Sequence, residues 1–139
     1  MTQASTTILL LGSDAALLEG LSQSLAALGY APRVALAVAE GREIASLQRP
    51  LIVVASCELA GDEGAELLAV PLAPGGALVL FHGSGHQPVL LTPTMQRAVL
   101  ADLTLPLERH RLVALVQHVV ERTSATGRRP DNPPEQVAY

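Results

Sequence analysis

The sequence predicts an α/β fold: five parallel strands in one doubly wound sheet, with helices on both faces. Three observations carry that reading. The segment 51–55, LIVVA, is an unbroken apolar run of strand length that follows Pro50 and ends at turn residues, the pattern of a strand buried on both faces of a parallel sheet. Such runs alternate with longer stretches whose apolar residues recur at helical spacing, and a crossover helix is the economical link between parallel neighbours. Apolar residues make up 49% of the chain, yet its aromatics are two Tyr and one Phe. The core must therefore be built from Leu, Val, Ile and Ala, which favours layered packing over an aromatic-rich barrel.

Length and charge narrow the classes further. The 139 residues suffice for one domain with a real core. Nine positive residues, all Arg, face thirteen acidic ones, a mildly acidic balance that argues against an electrostatic grip on nucleic acid. Cys57 is the single cysteine, so neither an internal disulfide nor a Cys-rich metal site is available. No basic-then-apolar leader pattern and no apolar run of membrane-spanning length is present, and the expectation is a soluble cytoplasmic chain without a membrane role.

In chain order, residues 1–5 are a polar lead-in and 6–11, TTILLL, a β-branched and aliphatic strand ending at Gly12. Ser13 or Asp14 can cap the next helix, because their side-chain oxygens accept from the orphan N–H groups of its first turn. Leu17, Leu21, Leu25 and Leu28 form its sheet-facing stripe, and Gly29 stops it. A second strand spans 33–37. A second helix follows at 39–48, with Ile44 and Leu47 turned inward and Gly41 weakening its start. The strand at 51–55 leads into a polar loop, from Ser56 to Gly61 and Gly64, at the carboxyl end where ligand chemistry sits in such sheets.

A short third helix at 64–70 is cut off by Pro71 and Pro74, and the Gly75-Gly76 turn feeds a fourth strand at 77–81 that ends at His82. Residues 83–91 mix loop-like and apolar positions. Thr92-Pro93 starts a short helix ending near Leu100, since Pro at the first helical position loses no bond. Residues 102–105 form the fifth strand, Pro106 opens the last helix, and 107–122 carry it. The expected organisation is thus a lead-in at 1–5, a domain at 6–122, and a disordered tail or linker at 123–139.

Three motifs, ILLLGSD (8–14), RPLIVVASCELAGDEGAELL (49–68) and LTLPL (103–107), together resemble the receiver domain, the flavodoxin-like module of bacterial two-component response regulators. The resemblance covers residues 6 to about 122. It implies an acidic pair after strand one, a phosphoacceptor Asp ending strand three, and a Mg²⁺ held between them to neutralise the acyl phosphate. The matching positions here are Gly12 and Ser13, then Ser56, none of which is an anion able to build the charged oxygen cage that Mg²⁺ prefers. The family's hydroxyl residue on strand four matches His82, its Lys before the strand-five Pro matches Leu105, and its aromatic switch falls near Asp102. With no Lys in the chain, no register shift restores the cation.

The expected function is therefore a degenerate receiver, a pseudo-receiver that serves signal transduction as a protein-interaction module. It is expected to be no enzyme and to need neither phosphorylation nor Mg²⁺. The alternative is a small flavodoxin-like enzyme or ligand-binding domain using the crevice at Gly12, Ser13, Ser56 and His82. A functional crevice should hold convergent polar groups; a retired one should be filled by apolar side chains such as Leu105. Asp14 reads as a helix cap, Cys57 as a packing residue, and Glu58, Asp62 and Glu63 as a solvated acidic loop. Ser56 and His82 lack a G-x-S-x-G elbow and an evident orienting acid. Arg128-Arg129 is too short a basic run for nucleic acid.

In the last helix, Leu112, Leu115, Val116 and Val119 form the core stripe, leaving Val113 and Val120 on a neighbouring flank. The resemblance favours pairing through helix four, strand five and helix five. The expected interface, to a second copy or a protein partner, centres on Val113 and Val120 with Arg97, Asp102, Arg109 and Gln117 as a polar rim. A downstream output domain would fit the Pro-rich tail.

Overall fold

The computed structural model describes residues 6–83, 91–105 and 108–128. Within them, β1 (Thr7–Leu11), β2 (Ala31–Ala35), β3 (Ile52–Ser56), β4 (Ala77–Gly83) and β5 (Val99–Leu105) form one parallel sheet in the order β2-β1-β3-β4-β5. That order places the switch point at β1 and β3, whose carboxyl ends open a crevice. The helices are α1 (Ala15–Ala27), α2 (Val38–Leu47), α3 (Cys57–Asp62), α4 (Gly64–Leu68), α5 (Pro93–Ala98) and α6 (Arg109–Arg128). Among the described residues no helix is long and apolar enough to cross a membrane.

Alternate residues of each strand build two cores. Ile8, Leu10, Ile52, Val54, Val79, Phe81, Leu103 and Leu105 meet α1 and α6, whereas Leu9, Leu11, Val53, Ala55, Leu78 and Leu80 meet α2 to α5. Continuous apolar strands follow from this, because both faces of the sheet are covered.

Several boundaries and faces differ from the sequence reading. The second strand begins at Ala31 and includes Pro32, which is tolerated because β2 is an edge strand and a missing N–H is harmless there. In α1 the buried stripe is Leu18, Leu21 and Leu25; Leu17 only leans on the core and Leu28 is half exposed. Gly29, with φ +97°, turns the chain in a conformation that a side chain would disfavour.

Leu47 points to solvent, 85% exposed, and α2 buries Val38, Gly41 and Ala45 instead. The cause is Gly41: a Cβ there would stand 2.5 Å from Leu11 Cδ2, so α2 settles on β1 by its glycine and turns Leu47 away. Ile44 remains partly buried against the second core.

The polar loop expected after Ser56 is instead α3, and only Glu63 separates it from α4. The Ser56 hydroxyl accepts the Glu58 N–H at 3.2 Å, while Cys57 and Ala60 bury against the sheet, so cap and apolar spacing together favour a helical turn. β4 runs through His82 to Gly83, α5 ends at Ala98, and β5 starts at Val99. Leu112, Val116 and Val119 of α6 are buried as expected, with Leu115 partly so, but the helix continues past Arg122 to Arg128. Residues 84–90, most of the unread stretch, and Pro106 and Leu107 lie outside the described residues, as does the tail from 129.

Glu108 fastens β5 to α6. Its Oε1 accepts the Thr104 N–H at 2.7 Å, its own N–H donates to the Thr104 carbonyl at 2.7 Å, and its Oε2 accepts from Arg111 at 2.6 Å. The Thr104 hydrogen bond, then that from Arg111, hold its carboxyl below the usual carboxylate range. A depressed folded pKa means that the stabilisation is complete above the unfolded value and is lost as pH falls through the folded one. Glu108→Gln keeps an acceptor but no charge. Its urea midpoint is expected to fall less than that of the wild type between pH 5 and pH 3, and parallel curves would remove Glu108 from the acid response.

Candidate functional site

At the carboxyl ends of β1, β3 and β4 lies a cavity of about 250 Å³ lined by Ser13, Asp14, Leu17, Ser56, Glu58, Phe81, His82 and Gly83. Gly12, beside Ser13, is buried. A Cβ on Gly12 would lie 3.3 Å from Phe81 Cζ, 3.5 Å from Ser56 Cβ and 3.6 Å from Leu18 Cδ1. A methyl at Gly12 would thus press on the phenyl ring by a few tenths of an ångström. Phe81 was legible only as a core residue of the fourth strand; its reach across the sheet follows from its register opposite Ser56.

Asp14, rather than Ser13, is the helix cap, its Oδ1 accepting the Leu17 N–H at 3.1 Å. Ser56 spends its oxygen on the Glu58 N–H, in the first turn of α3. Leu105 is fully buried with Leu103, Leu112 and Val116, on the face packed by α1 and α6. Around the cavity the apolar Leu17 and Phe81 stand beside hydroxyls, carboxylates and an imidazole, while Leu105 packs in the first core.

An acid does stand beside His82, contrary to the sequence reading. His82 Nε2 lies 3.7 Å from Asp102 Oδ1, and the Cys57 thiol donates to the same oxygen at 3.7 Å. In the parallel register Asp102 sits opposite Leu80 and Thr104 opposite His82, so the contact is diagonal. Nothing in local sequence reveals such a pairing. Cys57 is buried, and burial first, then Asp102, push its thiol up to about 12, which leaves it protonated and poorly nucleophilic. Among the described residues no group of three or more His, Cys, Asp or Glu could hold a metal ion.

Glu58, Asp62 and Glu63 are exposed, on α3 and at its carboxyl end. Of the expected interface, Arg97, Asp102, Arg109 and Gln117 are exposed, while Val113 and Val120 are partly buried and Val120 packs against the first core. Leu100, 43% exposed on the edge strand β5, is an apolar surface residue that the sequence did not single out.

No protein-family model matches the chain, and no curated protein matches it by sequence. Solved structures do match by shape. The response regulator receiver domain (CheY-like) from Methylobacillus flagellatus superposes with a TM-score of 0.67 at 16% identity, covering 84% of this chain and 99% of that one. A response regulator protein from Burkholderia pseudomallei, with a phosphorylated aspartic acid, calcium ion and citrate, gives 0.66 at 16% identity, covering 93% and 76%. NtrX from Brucella abortus gives 0.65 at 17% identity over 88% of this chain, which spans 28% of that protein's length. The fold is therefore that of a receiver domain, flavodoxin-like in topology.

Proposed function

We propose that the chain is a phosphorylation-independent pseudo-receiver, a protein-interaction module of signal transduction on a receiver fold. The observation that carries this reading is steric as well as chemical. Gly12 and Ser13 supply no anion, and even a methyl at Gly12 would stand tight against Phe81, 3.3 Å from its Cζ. Ser56 offers a hydroxyl already used as a cap, and Leu105 replaces a cation with a side chain sealed in the core. Incubation with acetyl phosphate and millimolar Mg²⁺ is expected to give no hydroxylamine-labile adduct and no rise in the melting midpoint. A ligand that binds only the native state must raise that midpoint, so an increase would reveal a working site.

The working surface in this reading is the outer side of β5 and α6, with α5 beside it. It combines Leu100 and Val113 with Arg97, Asp102, Arg109 and Gln117, an apolar centre inside a polar rim. Because Val120 already packs on the core, Val113→Glu alone is the cleaner probe. It should abolish self-association in sedimentation, or capture of the partner, with an unchanged circular dichroism spectrum; wild-type behaviour in both would place the interface elsewhere.

A second reading, ligand binding in the crevice, is favoured by its polar mouth of Ser13, Asp14, Ser56, Glu58 and His82 around about 250 Å³. That volume is below the range of drug-sized sites. Saturable amide shifts confined to those residues, in an NMR screen of small fragments, would raise this reading above the first.

A further inference from the structure

A second cavity, of about 190 Å³, lies at the opposite end of the sheet from the crevice. It is lined by Val53 near the start of β3, by Ala77 and Leu78 at the start of β4, by Leu67 and Leu68 of α4 and by Ala98 of α5. Val53, Leu67 and Leu78 are buried members of the second core, whereas Leu68 is 37% exposed, so the cavity runs from the surface into that core.

Small residues leave this space open. Gly76, at the turn into β4, admits no side chain, because a Cβ there would stand 2.8 Å from the Leu51 carbonyl oxygen and 2.9 Å from that of Ala73. Ala77 and Ala98 each end at a methyl. Such a void is unusual in an interior packed like an organic crystal, and it deprives its lining of dispersion contacts that a guest would restore. Water is a poor guest. It needs about two to four polar partners, yet every lining residue is apolar, and the Gly76 and Ala77 N–H groups already donate to the Ala73 and Leu51 carbonyls, each at 2.9 Å.

We propose that this cavity binds a small uncharged aromatic or branched aliphatic molecule, seated between α4, α5 and the starts of β3 and β4. No charged residue lines it, so a carboxylate or ammonium on the ligand would be buried without a partner, a cost that apolar contact does not offset. A dry apolar cavity of about 150 Å³ takes benzene, and the slightly larger space here admits one ring system with at most a short substituent. Drug-sized molecules are excluded by volume. The site is separate from the crevice, and it gives a domain without an acceptor aspartate a chemical input, because a guest that binds only the native state stabilises it.

Indole and toluene are the probes, with benzoate and benzylamine as charged controls. Either neutral probe is expected to give saturable amide shifts centred on Val53, Leu67, Ala77 and Leu78. It should also raise the folding equilibrium constant about tenfold at ten times its dissociation constant, while the charged controls do neither. Ala98→Leu and Ala77→Val extend side chains into the space, and each should weaken indole by about tenfold or more. Circular dichroism checks that both are folded, and Ala98, only partly buried, is the position that bears a larger side chain with less strain. The site is overturned if neither neutral probe saturates, if the shifts centre on Ser13, Ser56 and His82, if benzoate binds as tightly as indole, or if both filled variants bind indole at wild-type strength. The probe titrations of the wild type decide the matter even if a variant fails to fold.

Discussion

Leu105→Lys is expected to destabilise the domain by about 3–5 kcal/mol, the usual scale for a buried charge without a partner. Leu105 is fully buried in a cluster with Leu103, Leu112, Val116 and Val119, and among the described residues no polar or charged residue is buried that could meet the ammonium. Leu105→Met, which roughly conserves volume, should cost less than about 1.5 kcal/mol. The pH dependence has a definite sign. Desolvation depresses a buried amine's pKa, so the folded variant sheds its proton before the unfolded chain does. The deficit against wild type must therefore shrink as pH rises toward the ordinary lysine value. Urea midpoints at pH 7 and pH 10 for all three proteins check this. A lysine tolerated at pH 7 would mean that position 105 opens into the crevice, and would undo the argument that the interior is sealed.

Gly41→Ala should be destabilising although it replaces a helical glycine. Helix propensity alone predicts a gain of about 1 kcal/mol. Against that stands the contact: the new methyl would lie 2.5 Å from Leu11 Cδ2 and 3.3 Å from Cδ1, so the fully buried Leu11 would have to shift. Overpacking of this kind costs about 1–3 kcal/mol, so a net loss of up to about 2 kcal/mol is expected. Gly20→Ala is the matched control, because nothing lies within 4 Å of its Cβ position in α1. It should stabilise by about 0.5–1 kcal/mol. Leu11→Val combined with Gly41→Ala should recover part of the loss, since the shortened side chain vacates the contested space. Urea midpoints that rose for both alanine variants would show that α2 does not approach β1 this closely.

The sequence was most legible where a local pattern has one physical solution. An apolar run such as 51–55 can be buried on both faces only in a covered parallel sheet, and β3 lies at its centre. Asp14 and Thr92 stand one residue before their helices because an orphan N–H needs an acceptor there, and both side chains accept one. That Gly12, Ser13, Ser56 and Leu105 carry no ionisable side chain is also a property of residue identity, independent of how the chain packs. A glycine supplies no carboxylate in any fold.

Other features depend on distances between elements that no window of sequence contains. Leu47 has the periodicity of an inward residue, yet it faces solvent because the approach of α2 to Leu11 through Gly41 sets the rotation of the whole helix. Ser56 begins α3 and not a loop because its hydroxyl meets the Glu58 N–H while Cys57 and Ala60 find cover against the sheet. The reach of Phe81 beside Gly12 and the meeting of Asp102 with Cys57 and His82 both follow from strand register. Composition and periodicity by themselves determined a covered parallel sheet whose strand-end positions Gly12, Ser13 and Ser56 carry no charge, because burial and ionisation act residue by residue. Tertiary structure alone decided which residues line that site and what Asp102 touches, because contact between residues far apart in the chain is settled by register and by helix-to-sheet distance.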